Sequence, residues 1–301
     1  MLRTGFPDRR HSEAELRRTV RGRALPIAAA GSAGAGSRAQ GVYSMQKQSF
    51  VVFDFDGTLS TLRCGWEQIM QPMMLEMICP DGPCPPELEA RVAAYIDQST
   101  GIQTVRQMQW LAGQVEQSTG RARDAWYYKE QYNQRILRLV AEKQQRVLEG
   151  RASVSDFLIE GAAAFLQALR DRGCRLFLAS GTDDADVKAE ARFLGLDSCF
   201  ERIKGAPPGS FSCSKEQILR ELMPETGAGA ELSVIGDGKV EIALARRSGA
   251  LAVGIASNEA ARRGVDARKR RRLEAAGADV IFGDFTQKEA LVALIMREAL
   301  T

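Results

Sequence analysis

The chain has 301 residues, 45% hydrophobic and 26% charged, enough for one large domain, or a domain with a sizeable insert, around a real core. Its formal charge of +3 belongs to one end: residues 1 to 44 carry eight arginines against three acids, +5, and the remainder holds 33 basic and 35 acidic residues, −2, so nothing global points to nucleic acid. No apolar run approaches the roughly 18 to 20 residues of a spanning helix, which points away from a membrane. The lone histidine, His11, lies in the N-terminal segment, leaving the body of the chain without one for a triad, a metal site or a general base.

Residues 1–47 read as a disordered or untranslated tail: arginine-rich at first, then "AAAGSAGAGSRAQG" with no apolar period, with Met45 as a candidate physiological start. A targeting segment is the competing reading, against which Asp8, Glu13 and Glu15 count. The first strand follows in "SFVVFDFDGTL". Five of the six residues from Phe50 to Phe55 are apolar, as in a strand buried on both faces; Asp54 breaks the run and Asp56 follows it.

Residues 62–150 show only helical patterns, on Trp66, Ile69, Met70, Met73, Met74 and Met77, on Leu88, Val92, Tyr95 and Ile96, on Val105, Met108, Leu111 and Val115, and in a long stretch from Asp124 to Leu148. The methionine-rich face reads as packing, and Pro72 predicts a kink or a restart in the first helix. From 157 onward helices and short apolar runs alternate: "CRLFLASGT", "CFERI", "LSVIGDG", "LAVGIAS" and "ADVIF" read as strands. The fold class is therefore α/β, a Rossmann-like parallel sheet formed by 48–61 and 151–301, with an all-helical segment, 62–150, inserted after the first strand. Cysteines 64, 79, 84, 174, 199 and 213 have no CxxC spacing and predict reduced thiols in a cytoplasmic compartment.

Ligand crevices in parallel sheets lie at the carboxyl ends of the strands. Asp54 and Asp56 end the first strand, Ser180 and Gly181 the second, and Asp237 in "VIGDGKVEI" another, with Glu241 one helical turn on. Like charges so close need a cation or a proton. Oxygen donors without His or Cys select a hard ion, Mg²⁺ above all, and such a site suits phosphoryl transfer.

The sequence here resembles the haloacid dehalogenase superfamily of phosphohydrolases. "DFDGT" at 54–58 is similar to its first motif, "LASG" to its second, a lysine opening the helix of "FSCSKEQIL" to its third and "GDGKVE" to its fourth, covering roughly 48–300. The helical segment after the first motif looks like the helical cap of subclass I. The resemblance implies Asp54 as nucleophile, forming an aspartyl-phosphate, and Asp56 as the acid and base serving leaving group and water. It implies Ser180 and Lys215 as phosphoryl ligands. Asp54, the carbonyl of Asp56 and Asp237 would hold Mg²⁺, and Glu241 would act through water or position Lys215.

Simpler readings compete residue by residue. The acid pair could cap a helix or mark a turn, Ser180 could be a turn residue, and Glu241 a solvated acid in the first turn of a helix. Lys204 and Lys239 compete with Lys215, which is preferred for opening a helix after Ser214. The basic run "ARKRRRLEAAG" at 267–277 reads as a solvated face rather than a nucleic-acid site, and Asp284 as a loop residue. Arg63, Trp66 and Arg106 are the candidate substrate contacts, two cations for a second anionic group and an aromatic to stack on a ring. The expected activity is hydrolysis of a small phosphorylated metabolite. A phosphotransferase or mutase acting on a sugar phosphate, or an idle binding module with the same fold, are the alternatives; a dehalogenase has no need of Asp56.

Overall fold

The computed structural model describes residues 48–212, 214–222 and 231–298. The readings of 1–47, including Met45 as a start, and of Cys213 fall outside the described residues.

Strand β1 (Ser49–Phe53) is buried along its whole length because both of its faces carry apolar side chains. It forms the middle of a parallel sheet in the order β3-β2-β1-β4-β5-β6, built with β2 (Arg175–Asp183), β3 (Arg202–Ala206), β4 (Glu231–Gly236), β5 (Leu251–Ile255) and β6 (Val280–Phe282). Val52 is in register with Phe177 of β2 and with Val234 of β4. The strand order reverses direction at β1, so the crevice of such a sheet opens beyond Phe53.

Helices α1 (Trp66–Ile78), α2 (Pro86–Gln98), α3 (Thr104–Thr119) and α4 (Ala125–Leu148) lie between β1 and β2. After a 3₁₀ turn come α5 (Ala162–Asp171), α6 (Asp184–Phe193), α7 (Ser214–Leu222), α8 (Lys239–Ser248), α9 (Ala267–Ala276) and α10 (Lys288–Ile295). One sheet face packs Phe50, Val52, Phe177 and Val234 against Ile218, Leu219, Ile242 and Leu273 from α7, α8 and α9. On the other face Phe53 meets Phe165 and Phe200 edge-on at about 6 Å, and Phe165 stacks on Phe285. The insert has a core of its own, in which Met70, Met73 and Met74 pack with Val105, Met108, Leu111, Tyr132 and Ile136. The methionine face is packing, as its spacing predicts.

One expectation is narrowed and two need correction. Of the kink or restart read at Pro72, the restart is excluded, because Pro72 lies inside a continuous helix. Strand β3 takes only the last two residues of "CFERI", starting at Arg202 and running on to Ala206, because Asp197–Cys199 form a 3₁₀ turn first. Cys79 and Cys84 form a disulfide, with Cα atoms 5.6 Å apart, joining the end of α1 to the approach to α2. The turn-forming residues Pro80, Asp81, Gly82 and Pro83 bring them together, a pairing that a CxxC search does not find. Cys64, Cys174 and Cys199 are free thiols. Among the described residues no helix is long and apolar enough to cross a membrane.

Candidate active site

Asp54 and Asp56 leave β1 toward the crevice because the chain turns at once. Gly57, at φ +73°, supplies the left-handed residue of that turn, and a Cβ on it would come within 2.9 Å of the Lys269 ammonium. The Asp54 amide still follows the sheet, donating to the Ile235 carbonyl at 2.9 Å. Its carboxylate receives Thr58 Oγ1 at 3.3 Å and lies 2.8 Å from Lys215 Nζ. Thr182 Oγ1 donates to Asp56 Oδ2 at 2.8 Å, and Ser180 Oγ is 3.5 Å from the same oxygen. The other Asp56 oxygen is buried without a hydrogen-bond partner among the described residues.

Lys215, in the first turn of α7, is 5% exposed and contacts Asp54 and Glu241 together. A cation in a first helical turn opposes the helix dipole and wants anionic company, which these two acids supply. Burial disfavours its charge, but Asp54 and Glu241 overcome that and hold its pKa above the ordinary lysine range. Burial raises Asp54, Lys215 opposes the rise, and Glu241 and Asp237 add to it. Burial also raises Asp56, against the Arg63 guanidinium and the Thr182 hydrogen bond.

These groups line a cavity of about 100 Å³, where Asp54, Asp56, Ser180, Gly181, Lys215 and Asp237 meet Trp66 and Arg63 at the root of the insert. The turn between α2 and α3 covers it: a Cβ on Gly181 would lie 3.3 Å from the Ile102 carbonyl oxygen. A second cavity, of about 220 Å³, shares Trp66, Thr100, Asp237 and Glu259 with the first.

Not every expected residue lands as the sequence reading has it. Glu241, 2% exposed, is outside the cavity lining; one of its oxygens meets Lys215 and the other is buried without a partner among the described residues. Arg63 lines the cavity, yet its guanidinium is engaged by Glu190 at 2.6 Å and Asp186 at 3.3 Å, both on α6. Arg106 is outside the lining; it donates to the Phe211 carbonyl at 3.0 Å and stands over that ring. Lys204 pairs with Glu221 and Lys239 is exposed, so of the three candidate lysines Lys215 is the one at the carboxylates. Asp284 is a loop residue, accepting from the amides of Gly264 and Thr286.

The basic run of α9 is not a wholly solvated face. Lys269 turns inward to Asp237 at 2.7 Å and Glu259 at 2.6 Å, while Arg268 and Arg272 pair with Asp97 of the insert. Sequence reasoning also missed Thr182 and Glu259. Thr182 was within reach, two residues after Ser180 at the same strand end; Glu259 and Lys269 belong to no motif and meet only through the fold.

Comparison with known proteins decides the family. The model of the haloacid dehalogenase-like hydrolases matches residues 49–249, two-thirds of the chain. The chain belongs to that family. Among solved structures it shares the fold of a predicted phosphoglycolate phosphatase from Haemophilus somnus (15% identity, TM-score 0.56, covering 82% of this chain and 99% of that one). A β-phosphoglucomutase from Clostridium difficile (12% identity, TM-score 0.55, 83% and 97%) has the same architecture. Among curated proteins, a copper-transporting P-type ATPase of Rhizobium leguminosarum is 29% identical over 140 residues, 46% of this chain and 14% of the ATPase. A 5'-nucleotidase of Pseudomonas aeruginosa is 28% identical over 99 residues, 33% of this chain and 45% of the nucleotidase. The matched part thus spans less than half of either relative.

A metal is expected in such a hydrolase. Among the described residues no three Asp, Glu, Cys or His side chains group as a ready-made metal cluster. The donor chemistry nonetheless fits Mg²⁺, which needs only one or two carboxylates and keeps several waters. Asp54 and Asp237 line the cavity and are the carboxylates that could hold it; Asp54 is raised first by burial and then by Glu241 and Asp237, a charge that a divalent ion would stabilise.

Proposed function

We propose that this haloacid dehalogenase-like hydrolase is a Mg²⁺-dependent phosphatase that hydrolyses a small phosphorylated metabolite through an aspartyl-phosphate on Asp54. The observation that carries the reading is geometric: two strand-end acids line one cavity, Asp54 with the Lys215 ammonium at 2.8 Å and Asp56 with the Thr182 hydroxyl at 2.8 Å. A nucleophile should be ionised and a general acid should hold its proton near neutral pH.

An Asp54 oxygen attacks phosphorus as the bond to the leaving oxygen breaks, and Asp56 gives that oxygen its proton. Water then attacks the phosphorus of the acyl phosphate, Asp56 takes a proton from it, and the P–O bond to Asp54 breaks, releasing phosphate. Ser180 and the Gly181 backbone hold the phosphoryl oxygens, and Lys215 offsets their charge. Asp54, Asp237 and the Asp56 carbonyl would hold Mg²⁺, which when bound supplies charge neutralisation to the transferring group. Glu241 serves as the partner that positions Lys215, in keeping with their direct contact.

The insert, 62–150, acts as a cap. The roughly 100 Å³ at the carboxylates suits a phosphoryl group and is below the roughly 300 Å³ of common small-molecule sites. The rest of the substrate therefore extends past Trp66 into the neighbouring cavity. Arg63, bound to Glu190, shapes the wall near Asp56 instead of offering free donors. The test is phosphate release from a panel of phosphorylated metabolites with Mg²⁺, run with and without sugar-phosphate acceptors. Transfer to a sugar phosphate at the expense of release would make the protein a phosphotransferase, and no turnover of any phosphate ester, a generic aryl phosphate included, would make it a binding module.

A further inference from the structure

Lys269 is a second, partly buried cation at the carboxylates, and the reaction outlined above makes no use of it. Its ammonium lies 2.7 Å from Asp237, 2.6 Å from Glu259 and 3.2 Å from Ser257 Oγ, with 12% of the side chain exposed. Ser257 Oγ in turn donates to the Gly57 carbonyl, so this ammonium is fastened to the turn that carries Asp54 and Asp56. Four further residues of α9 are basic, Arg268, Arg270, Arg271 and Arg272; Arg268 and Arg272 face Asp97 of the insert and Arg270 pairs with Glu274. Lys269 is the one in contact with Asp237.

We propose that Lys269 is a built-in counter-cation that competes with the divalent metal for Asp237, and that Glu259 is the partner to which it is displaced when metal binds. The proposal rests on the Mg²⁺ reading of the site. Two cations on one carboxylate repel, and in a partly buried setting at 3 to 5 Å that repulsion is not screened away. With Asp237 as its only anion Lys269 would block the metal outright; with none it would not stay in the cavity. A second carboxylate at the same distance lets the ammonium give up Asp237 and remain paired. The metal-free protein then keeps its acids neutralised, at the expense of metal affinity.

The experiment is calorimetric titration of Mg²⁺ into the full chain without substrate, with thermal melting in chelator as a second readout. Lys269→Met should tighten Mg²⁺ at least tenfold, lower the metal-free melting temperature, and enlarge the Mg²⁺-induced rise. Glu259→Gln should do the reverse and weaken Mg²⁺ by at least threefold, because the ammonium then rests on Asp237 alone. Lys269→Arg, which keeps the charge, should stay nearer to wild type than Lys269→Met. A merely structural lysine would not give opposite signs in the first two variants. If the wild type binds Mg²⁺ and both variants match it within twofold, or both weaken binding, the counter-cation role is overturned and the metal reading stands. If the wild type shows no saturable Mg²⁺ binding, the metal reading is overturned and this inference with it.

Discussion

Lys215→Ala should lower kcat on an aryl phosphate by roughly 10² or more at saturating Mg²⁺, the scale seen when one preorganised electrostatic group is removed. The structure says why the loss should fall on this lysine. Lys215 is 5% exposed and sits between Asp54 and Glu241, whereas the Lys204 ammonium is taken by Glu221 and Lys239 is exposed. Removing one member of a buried ion pair costs about 3 to 5 kcal/mol when the remaining charge is stranded, and here two carboxylates would be stranded. They can escape part of that cost by taking up protons, which gives the variant a pH signature. A carboxyl whose folded pKa lies above its unfolded value leaves stability intact below the unfolded pKa and lost as pH rises through the folded one. Asp54 is already raised by burial against the pull of Lys215, and the substitution removes that pull. The stability gap between wild type and Lys215→Ala should therefore be small near roughly pH 4 and widen toward neutral pH. Urea denaturation at several pH values, with steady-state kinetics of Lys204→Ala and Lys239→Ala alongside, checks both effects. A pH-independent gap, or loss of activity in one of the other two lysine variants with Lys215→Ala active, would refute the assignment.

Asp54→Asn should abolish turnover and leave thermal stability near wild type, since the amide keeps the size of a side chain whose charge burial already disfavours; a trapped acyl phosphate mapping to another residue would count against Asp54 as the nucleophile. Activity should vanish in excess chelator and return with Mg²⁺ but not with Ca²⁺, whose longer bonds and higher coordination number disturb in-line transfer; metal-titrated kinetics measure this. Glu190, pushed up to about 7 by burial in spite of Arg63, holds its proton more tightly in the folded chain than in the unfolded one. Its contribution to stability should therefore decline as pH rises from roughly 4.3, the unfolded value, to about 7, and Glu190→Gln should flatten that slope in denaturation curves across the window.

The strand-end acids were legible in the sequence because a parallel sheet makes position along the chain a proxy for position in space. An apolar run that stops at Asp54, another at Ser180 and a third at Asp237 must end at the same edge if the strands run the same way, and β2, β1 and β4 are indeed neighbours. Lys215 was legible for a related reason, as the lysine that opens a helix. What stayed hidden were pairings between residues with no common period or motif. Arg63 and Glu190 are 127 residues apart, and nothing local to either predicts that the arginine serves α6 rather than a substrate. Lys269 sits in a run of five basic residues whose average property is solvation, and only the placement of α9 against β5 and β6 singles out the one that turns inward. The Cys79–Cys84 bridge was hidden differently: the turn residues that make it feasible were readable, but spacing alone does not separate a bridge from two thiols.

The balance of forces across the cavity bears on how a substrate reaches it. The insert is held together internally by burial: Met73, Met74, Met108 and Leu111 are fully buried there, and each such side chain contributes about 1.5 to 3 kcal/mol. Around the cavity the insert meets the sheet domain largely through polar contacts. Lys129 and Asn133 of α4 bind Asp183 at the end of β2, Gln103 and Arg106 bind the Ser212 and Phe211 carbonyls, and Arg268 and Arg272 reach Asp97. Partly exposed contacts of that kind are worth about 0 to 1 kcal/mol each, and water replaces them when they break. Apart from the buried Arg63–Glu190 pair at the root of the insert, the contacts across the cavity are therefore weak ones, between two bodies that each keep their own core. On the proposed phosphatase reading, a substrate larger than the cavity of about 100 Å³ at the carboxylates should enter by separation along this plane, where separation costs least.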